Sequence, residues 1–382
     1  MIPHSPKTLR SLLDARIDAY LASRTQDWRQ LEEPETREIE FGDRPIVLLG
    51  AGSVIAQDFV SAACERFRVV AAIDNARVGE RRYGVEFVSD AVLPGLMQRE
   101  PRAVAVMCCA SDGAVEHFAR GAEAAGLPVL SLFQARRRIG TLGWGAEFGQ
   151  PDLVARLAAE APALADELSV RTYLCMLLHR LSWSRTWLDQ MRLLYRDMYF
   201  GTGIYPVTGD EILVDAGAYD GDSIVEFDRF SGRSARRILA FEPDATNAGR
   251  LRAAVADRPE VEVYEAGLWS ATTTLSFAAD GALGSRAAET GGATVQVRAL
   301  DDLALDELTL VKLDIEGAEV PALQGARRTI ARLRPKLAIC AYHRPDDFLE
   351  IARTISEIEP SYRLYLRHHS PWLTDSVFYA VA

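Results

Sequence analysis

The stretch that most constrains how this chain can fold is EILVDAGAYDGDSIVEF, residues 211–227. An apolar run enters Asp215, glycines follow at 217 and 221, and a helical pattern begins at Asp222. Such a segment suits a buried parallel strand that turns sharply into a helix, because glycine accepts left-handed backbone and lets a neighbour come close. In an open parallel sheet, ligands bind outside the carboxyl ends of the strands, where the strand order reverses. Asp215 stands at such an end, and Asp222 or Ser223 is placed to cap the helix.

From Glu211 onward, strands are predicted at EILVD, RILAFEP, VEVYEAG, LTLVKLD and KLAICAY. The chain then closes with YRLYLRHH and SVFYAVA, which lie too close together for an intervening helix and must be antiparallel neighbours. The expectation is five parallel strands plus a terminal hairpin. A smaller hairpin, TTLSFAA with ATVQVRAL, falls between the third and fourth strands. Upstream, PIVLLG, RVVAAIDN, AVAVMCCAS and PVLSLFQ alternate with helical segments, which predicts a second, smaller parallel α/β sheet. Two such domains agree with a length of 382 residues, more than one core usually serves.

The organisation expected is therefore N-terminal helices and a linker over 1–40, a Rossmann-like α/β domain over 41–150, a helical connector over 151–205, and a second α/β domain over 206–382. The acidic EEPETREIEFGDRP reads as linker, and the basic ARRRIG at 135–140 as a solvated helix face or loop. In the connector, Trp183, Trp187, Tyr195, Tyr199 and Phe200 are spaced for packing.

A net charge of −11 argues against nucleic acid as a partner, since a phosphate backbone would be repelled. The cysteines, Cys64, Cys108, Cys109, Cys175 and Cys340, lack metal-type spacing and read as reduced, buried thiols. No apolar run approaches the ~20 residues that span a bilayer. A soluble, cytoplasmic protein is expected, with self-association left open.

A second acid, Glu242 in LAFEPD, ends the next strand and is placed to accept both hydroxyls of a ribose. A glycine turn with a ribose acid serves dinucleotides and S-adenosylmethionine (SAM) alike. Three details favour SAM. The glycines follow GxxxG, which leaves a pyrophosphate cradle incomplete. Asp215 would repel a pyrophosphate but could hold a cationic amino group. A terminal antiparallel hairpin is not a feature of dinucleotide domains.

These residues resemble the FkbM family of SAM-dependent methyltransferases. The likeness is carried by VDAGAYDGDS at 214–223, FEPDATNAGRL at 241–251, LDDL at 300–303 and, most specifically, VKLDIEGAEVPALQGA at 311–326. The resemblance implies the class I methyltransferase fold, a seven-stranded sheet whose last strand is antiparallel. It also implies O-methylation of a hydroxyl on a sugar, glycan or secondary metabolite. By that resemblance Asp215, Gly217 and Gly221 frame the methionine part of SAM, with Ala218, Tyr219, Asp222 and Ser223 completing the loop. Glu242, followed by Pro243, holds the ribose. The acceptor is not specified.

An alcohol is a poor nucleophile until its proton is removed. Candidates at the next strand ends are Asp314 and Glu316 in KLDIEGAE and His343 in CAYHRPDD, with His343 the first choice for base. Asp314 could equally cap the following helix. His368 and His369 border the same end and could join Asp314 and His343 around a metal, but no spacing motif supports this and no metal is expected.

In the first domain, LLGAGSVIAQDF has Gly50 and Gly52, while Ile55 stands where a dinucleotide fingerprint has its third glycine. Asp74 ends the next strand, where a ribose acid belongs. A packing-only domain, a sugar-nucleotide site and an NAD site all remain open. The competing functions are thus an NAD-linked oxidoreductase built on this domain, or a non-catalytic ligand-sensing module. His117, the one histidine between 41 and 140, falls in a predicted helix and is expected at the surface.

Overall fold

The computed structural model describes residues 4–23, 27–143, 145–277 and 293–382. The chain divides into two compact units. One takes in Met1–Ala158, Leu174–Met191 and Ser370–Leu373; the other takes in Ala159–Tyr173, Arg192–His369 and Thr374–Ala382.

In the N-terminal unit the strands are β1 (Ile46–Leu49), β2 (Val69–Ile73), β3 (Arg81–Arg82), β4 (Val85–Val88), β5 (Val104–Met107) and β6 (Val129–Ser131). They form one sheet in the order β3-β4-β2-β1-β5-β6, parallel except for the short β3–β4 hairpin. Alternate residues supply opposite faces. Ile46, Leu48, Val104 and Val106 pack into one core, while Val47, Leu49, Ala105 and Met107 pack into the other. This is why these strands read as unbroken apolar runs.

Four expectations for this unit need correction. The hairpin β3–β4 adds two strands: β3 is only two residues long, and β4, VEFV, has one buried residue and no apolar run. PVLSLFQ is strand only to Ser131, whose side chain accepts from Gln134 N–H at 3.1 Å while Gln134 accepts from Ser131 N–H at 3.0 Å. This reciprocal capping box starts the helix Leu132–Ile139 in mid-run. The basic run lies in that helix and is not solvated: Arg138 and Glu32, with side chains 1% and 0% exposed, pair at 2.7 Å. Glu32 belongs to the stretch read as linker, which also carries the short helix Pro34–Arg37.

The helix Pro6–Ala22 buries Leu9, Leu13 and Ile17, one stripe at helical spacing. Of the expected packing aromatics, Trp183, Trp187, Tyr199 and Phe200 are buried, whereas Tyr195 is 53% exposed. Four cysteines are buried and Cys64 is half-buried, all as free thiols.

The C-terminal unit holds β7 (Ile212–Ala216), β8 (Arg237–Phe241), β9 (Val261–Tyr264), β10 (Gly267–Leu268), β11 (Thr273–Phe277), β12 (Ala293–Arg298), β13 (Leu310–Leu313), β14 (Lys336–Cys340), β15 (Arg363–His368) and β16 (Ser376–Val381). Seven of these form a sheet in the order β15-β16-β14-β13-β7-β8-β9, in which β16 alone runs antiparallel to its neighbours. The expected five parallel strands and terminal hairpin are both present. The expected small hairpin is β11 paired antiparallel with β12, joined by β10; the Ala278 and Ala279 assigned to it lie outside the described residues.

Strand order reverses between β7 and β13, so the ends of these two strands bound the crevice where ligands bind in such sheets. Among the described residues no helix is long and apolar enough to cross a membrane.

Candidate active site

A cleft of about 1360 Å³ opens at the carboxyl ends of the C-terminal unit's strands. Gly217, directly after β7, lies in its wall with φ 73°. A Cβ there would stand 1.8 Å from the Asp314 carbonyl oxygen, so no side chain fits without moving backbone. The turn is pinned from β8: Gly217 and Ala218 N–H donate to the Phe241 carbonyl at 3.0 and 3.1 Å. Gly221, at φ 95°, then precedes the helix Asp222–Ser231.

Glu242 completes this arrangement. It is 6% exposed, and its carboxylate accepts Tyr219 N–H at 3.0 Å on one oxygen and Asp244 N–H at 2.9 Å on the other. Burial raises its pKa, against the pull of those two backbone N–H groups. Glu242 and Pro243 line the cleft together with Tyr219, Asp222 and Ser223. Burial likewise raises the Asp222 carboxyl.

Asp215 is placed differently from the expectation. It is fully buried and is not a cleft residue. Ser223 donates to its Oδ2 at 2.6 Å, and Lys312 Nζ lies 3.0 Å from its Oδ1. Lys312 also donates to the Gly217 carbonyl at 2.7 Å. Burial disfavours the charged amine, but the carboxylates of Asp215 and Asp314 outweigh it and raise the Lys312 pKa. The negative charge of Asp215 is therefore answered inside the protein. Ala218 and Gly221 also shape the turn without facing the cleft.

Asp314, just beyond β13, reaches the cleft with its side chain 26% exposed. Tyr199 donates to its Oδ2 at 2.8 Å and Tyr342 to its Oδ1 at 3.0 Å. Burial pushes its pKa up, but Lys312, His343 and the two hydroxyls prevail and hold it below the usual value. Glu316, at φ 56°, is 73% exposed on the rim. His343 stands behind Asp314 and is only 7% exposed. Its Nδ1–H donates to the buried Glu319 at 2.9 Å. Burial alone would lower its pKa; the bond to Glu319 and the charges of Glu319, Asp314 and Glu316 lift it to about 9.

The structure thus brings Asp314, Glu316 and His343 together. His368 and His369 do not join them. His368 Nδ1 pairs with Ser376 at 2.9 Å, and His369 lies between the Leu194 carbonyl and the Tyr379 hydroxyl, each at 3.1 Å. Three residues of the site, Lys312, Glu319 and Tyr342, have no role in the sequence reading, and Tyr199, expected only to pack, also donates to Asp314. Lys312 carried a signal, since a lone cation inside a buried apolar strand requires a partner.

The N-terminal unit repeats the same turn. Gly50, at φ 75°, and Ala51 donate N–H to the Ile73 carbonyl at 2.8 and 2.9 Å. A Cβ on Gly50 would meet Cys109 Cβ at 2.5 Å. Asp74 accepts Gly52 N–H at 3.0 Å and Ala76 N–H at 3.1 Å, as Glu242 accepts Tyr219 and Asp244. His117 is 52% exposed on its helix and pairs with Asp90.

Residues 215–365 match the methyltransferase FkbM domain. A solved structure described as methyltransferase FkbM from Methylobacillus flagellatus KT aligns with 98% of this chain and 100% of its own, at 28% identity and a TM-score of 0.73. Aeropyrum pernix fibrillarin with natively bound S-adenosyl-L-methionine aligns with 48% of this chain and 70% of its own, at 14% identity and a TM-score of 0.32. A precorrin-6y C5,15-methyltransferase from Geobacter metallireducens GS-15 aligns with 45% and 80%, at 16% identity and 0.28. No curated protein matches the chain.

Proposed function

We propose that this chain, whose residues 215–365 match the methyltransferase FkbM domain, methylates a hydroxyl on a sugar, glycan or secondary metabolite with SAM as donor. The observation that carries this reading is Glu242, which holds the Gly217 turn by Tyr219 N–H and also lines the cleft. A carboxylate so placed suits a ribose diol. The bare Gly217 backbone allows the close approach that a cofactor needs.

Bound SAM would supply a methyl carbon already activated by the positive sulfur beside it. What remains for the protein is to align the acceptor oxygen and to deal with its proton. Asp314 and Glu316, on the wall and rim, are the groups within reach of an acceptor. His343 acts through Asp314 and not as a lone base, because an imidazole with a pKa of about 9 is already protonated near neutral pH.

The test is a transfer assay with SAM against hydroxylated acceptors, read as methylated product by mass spectrometry. Transfer to any alcohol that is lost in Asp314→Asn supports the reading. Tight SAM binding without turnover on any acceptor would favour a ligand-sensing role.

The repeated turn at Gly50 and Asp74 favours a second reading for the N-terminal unit, a sugar-nucleotide site for substrate. Arg77 packs over Gly52 and brings a guanidinium to that turn. Titrating the full chain with UDP- and GDP-sugars, NAD and NADP separates the cases. Saturable binding of a sugar nucleotide that weakens in Asp74→Ala supports the site, whereas NAD binding with hydride transfer would replace it with redox chemistry.

A further inference from the structure

The region around His343 contains a buried nitrogen without a hydrogen bond. His343 follows β14 and Asp314 follows β13, so neighbouring strands present them side by side. Glu319, at the start of the helix Glu319–Gly325, accepts the His343 Nδ1–H and is itself held by Ile315 N–H at 2.9 Å. That contact fixes the ring and directs Nε2 the other way. Nε2 makes no hydrogen bond, although the side chain is 7% exposed. It lies 3.4 Å from Asp314 Oδ1 and 3.7 Å from Glu316 Oε2.

Asp314 and Glu316 both approach Nε2, and in the ion-free chain the imidazole proton answers them; a divalent cation that displaces that proton would serve the same two carboxylates. Ligands each ~2.0–2.2 Å from a shared ion in tetrahedral arrangement stand about 3.4 Å apart, close to the separations seen here. With Glu319 in place of Glu316, a different triad of Asp314, Glu319 and His343 has one ligand atom from each residue within 4.8 Å of one another.

We propose that His343 Nε2, Asp314 Oδ1 and Glu316 Oε2 form a divalent-cation site, with Glu319 as the residue that positions the imidazole. A carboxylate on the far nitrogen of a ligating histidine is the usual outer partner at metal sites, and Tyr199 holds Asp314 in the same manner by its other oxygen, Oδ2, while Tyr342 donates to Oδ1 itself. One imidazole with two carboxylates suits Zn²⁺ or Mn²⁺. Because Asp314 and Glu316 line the cleft, open positions on the ion would face it.

The role of the ion rests on the methyl-transfer reading. A hydroxyl bound to it would lose its proton to solvent water more readily. The resulting oxygen would form a bond to the methyl carbon as the carbon–sulfur bond breaks, its electron pair passing to sulfur.

The experiment uses the full chain, stripped with chelator, without SAM or acceptor. Mn²⁺ binding is followed by electron paramagnetic resonance, and Zn²⁺ by competition. One saturable site is expected, weakened about tenfold or more in His343→Ala and Asp314→Asn, and about ten- to a hundredfold in Glu319→Gln. Glu316→Gln changes an exposed side chain, so it should weaken binding without moving the melting temperature. Absence of saturable binding, or wild-type affinity in Glu316→Gln and in folded Asp314→Asn, would overturn the site. The readout needs neither SAM nor acceptor, so failure of the methyl-transfer reading would leave a positive result standing.

Discussion

Lys312 Nζ lies 3.0 Å from Asp215 Oδ1, and the two side chains are 3% and 1% exposed. They are direct partners in the register of β13 with β7, at the point where strand order reverses. Through Ser223 and the Gly217 carbonyl, the pair ties the strand end to the turn and to the helix that follows. Two buried charges cost about as much to desolvate as they return, but one left alone is strongly destabilising. Asp215→Asn or Lys312→Met should each lower stability by about 3–5 kcal/mol, and the double variant by much less than the sum. Urea denaturation of the four proteins measures this. Additive losses would mean that the contact is not an energetic pair.

Gly217→Ala combines a left-handed backbone with a Cβ driven into the Asp314 carbonyl. Neither backbone can yield without moving β7 or β13. The loss should exceed about 1 kcal/mol, whereas an unstrained Gly→Ala replacement stabilises by about 0.4–1 kcal/mol. Gly249→Ala, in open space, is the control. Melting curves that place the two variants together would contradict the close approach.

Glu242→Ala removes two backbone contacts and the proposed ribose partner together, whereas Glu242→Gln keeps the shape and removes the charge. Contacts with a charged group contribute about 1.5–3 kcal/mol, so binding of S-adenosylhomocysteine should weaken roughly tenfold or more in Glu242→Ala. Glu242→Gln should fall between that variant and wild type. Calorimetry giving equal affinities in all three would remove Glu242 from the cofactor site.

Stability should fall as pH drops below ~6.5, where the opposite contribution of His343, whose pKa is raised to about 9, is already complete. Burial is the main cause that lowers the pKa values of His179 and His369 to about 4, although each also hydrogen-bonds a carbonyl. Unfolded, each titrates near ~6.5. The unfolded chain therefore binds these protons first, so the stabilisation is complete above pH ~6.5 and is lost as pH falls through about 4, on the order of 2–3 kcal/mol per residue. Denaturation midpoints at pH 7.5, 6 and 5 should converge for wild type and His369→Gln as pH drops. A difference that stays constant with pH would show that His369 is not buried as the neutral ring.

Much of the architecture is legible locally. Apolar runs of strand length, the glycines at 217 and 221 and the acids at the ends of β7 and β8 are signals carried by neighbouring residues. They suffice for a seven-stranded sheet with one antiparallel strand, and for the turn that Glu242 pins. β3, of two residues, falls below the length at which a period can be recognised, and β4, with Glu86 inside it and one buried residue, lacks the apolar run of the four-residue strands β1 and β5. The start of the helix at Leu132 depends on a capping box whose Ser131 also ends a strand.

The amino-acid sequence by itself determined the long strands of both sheets, where the tight turns fall, and which acids stand at strand ends, because each depends on residues a few positions apart. Tertiary structure decided which charges meet. Asp215 looks available for a ligand until β13 places Lys312 against it, and ARRRIG looks solvated until Glu32 is packed onto Arg138. His343 looks like a free base until Glu319 and Asp314 surround it. A charge's role depends on its partner and on its distance from water, and both are set by contacts between segments far apart in the chain.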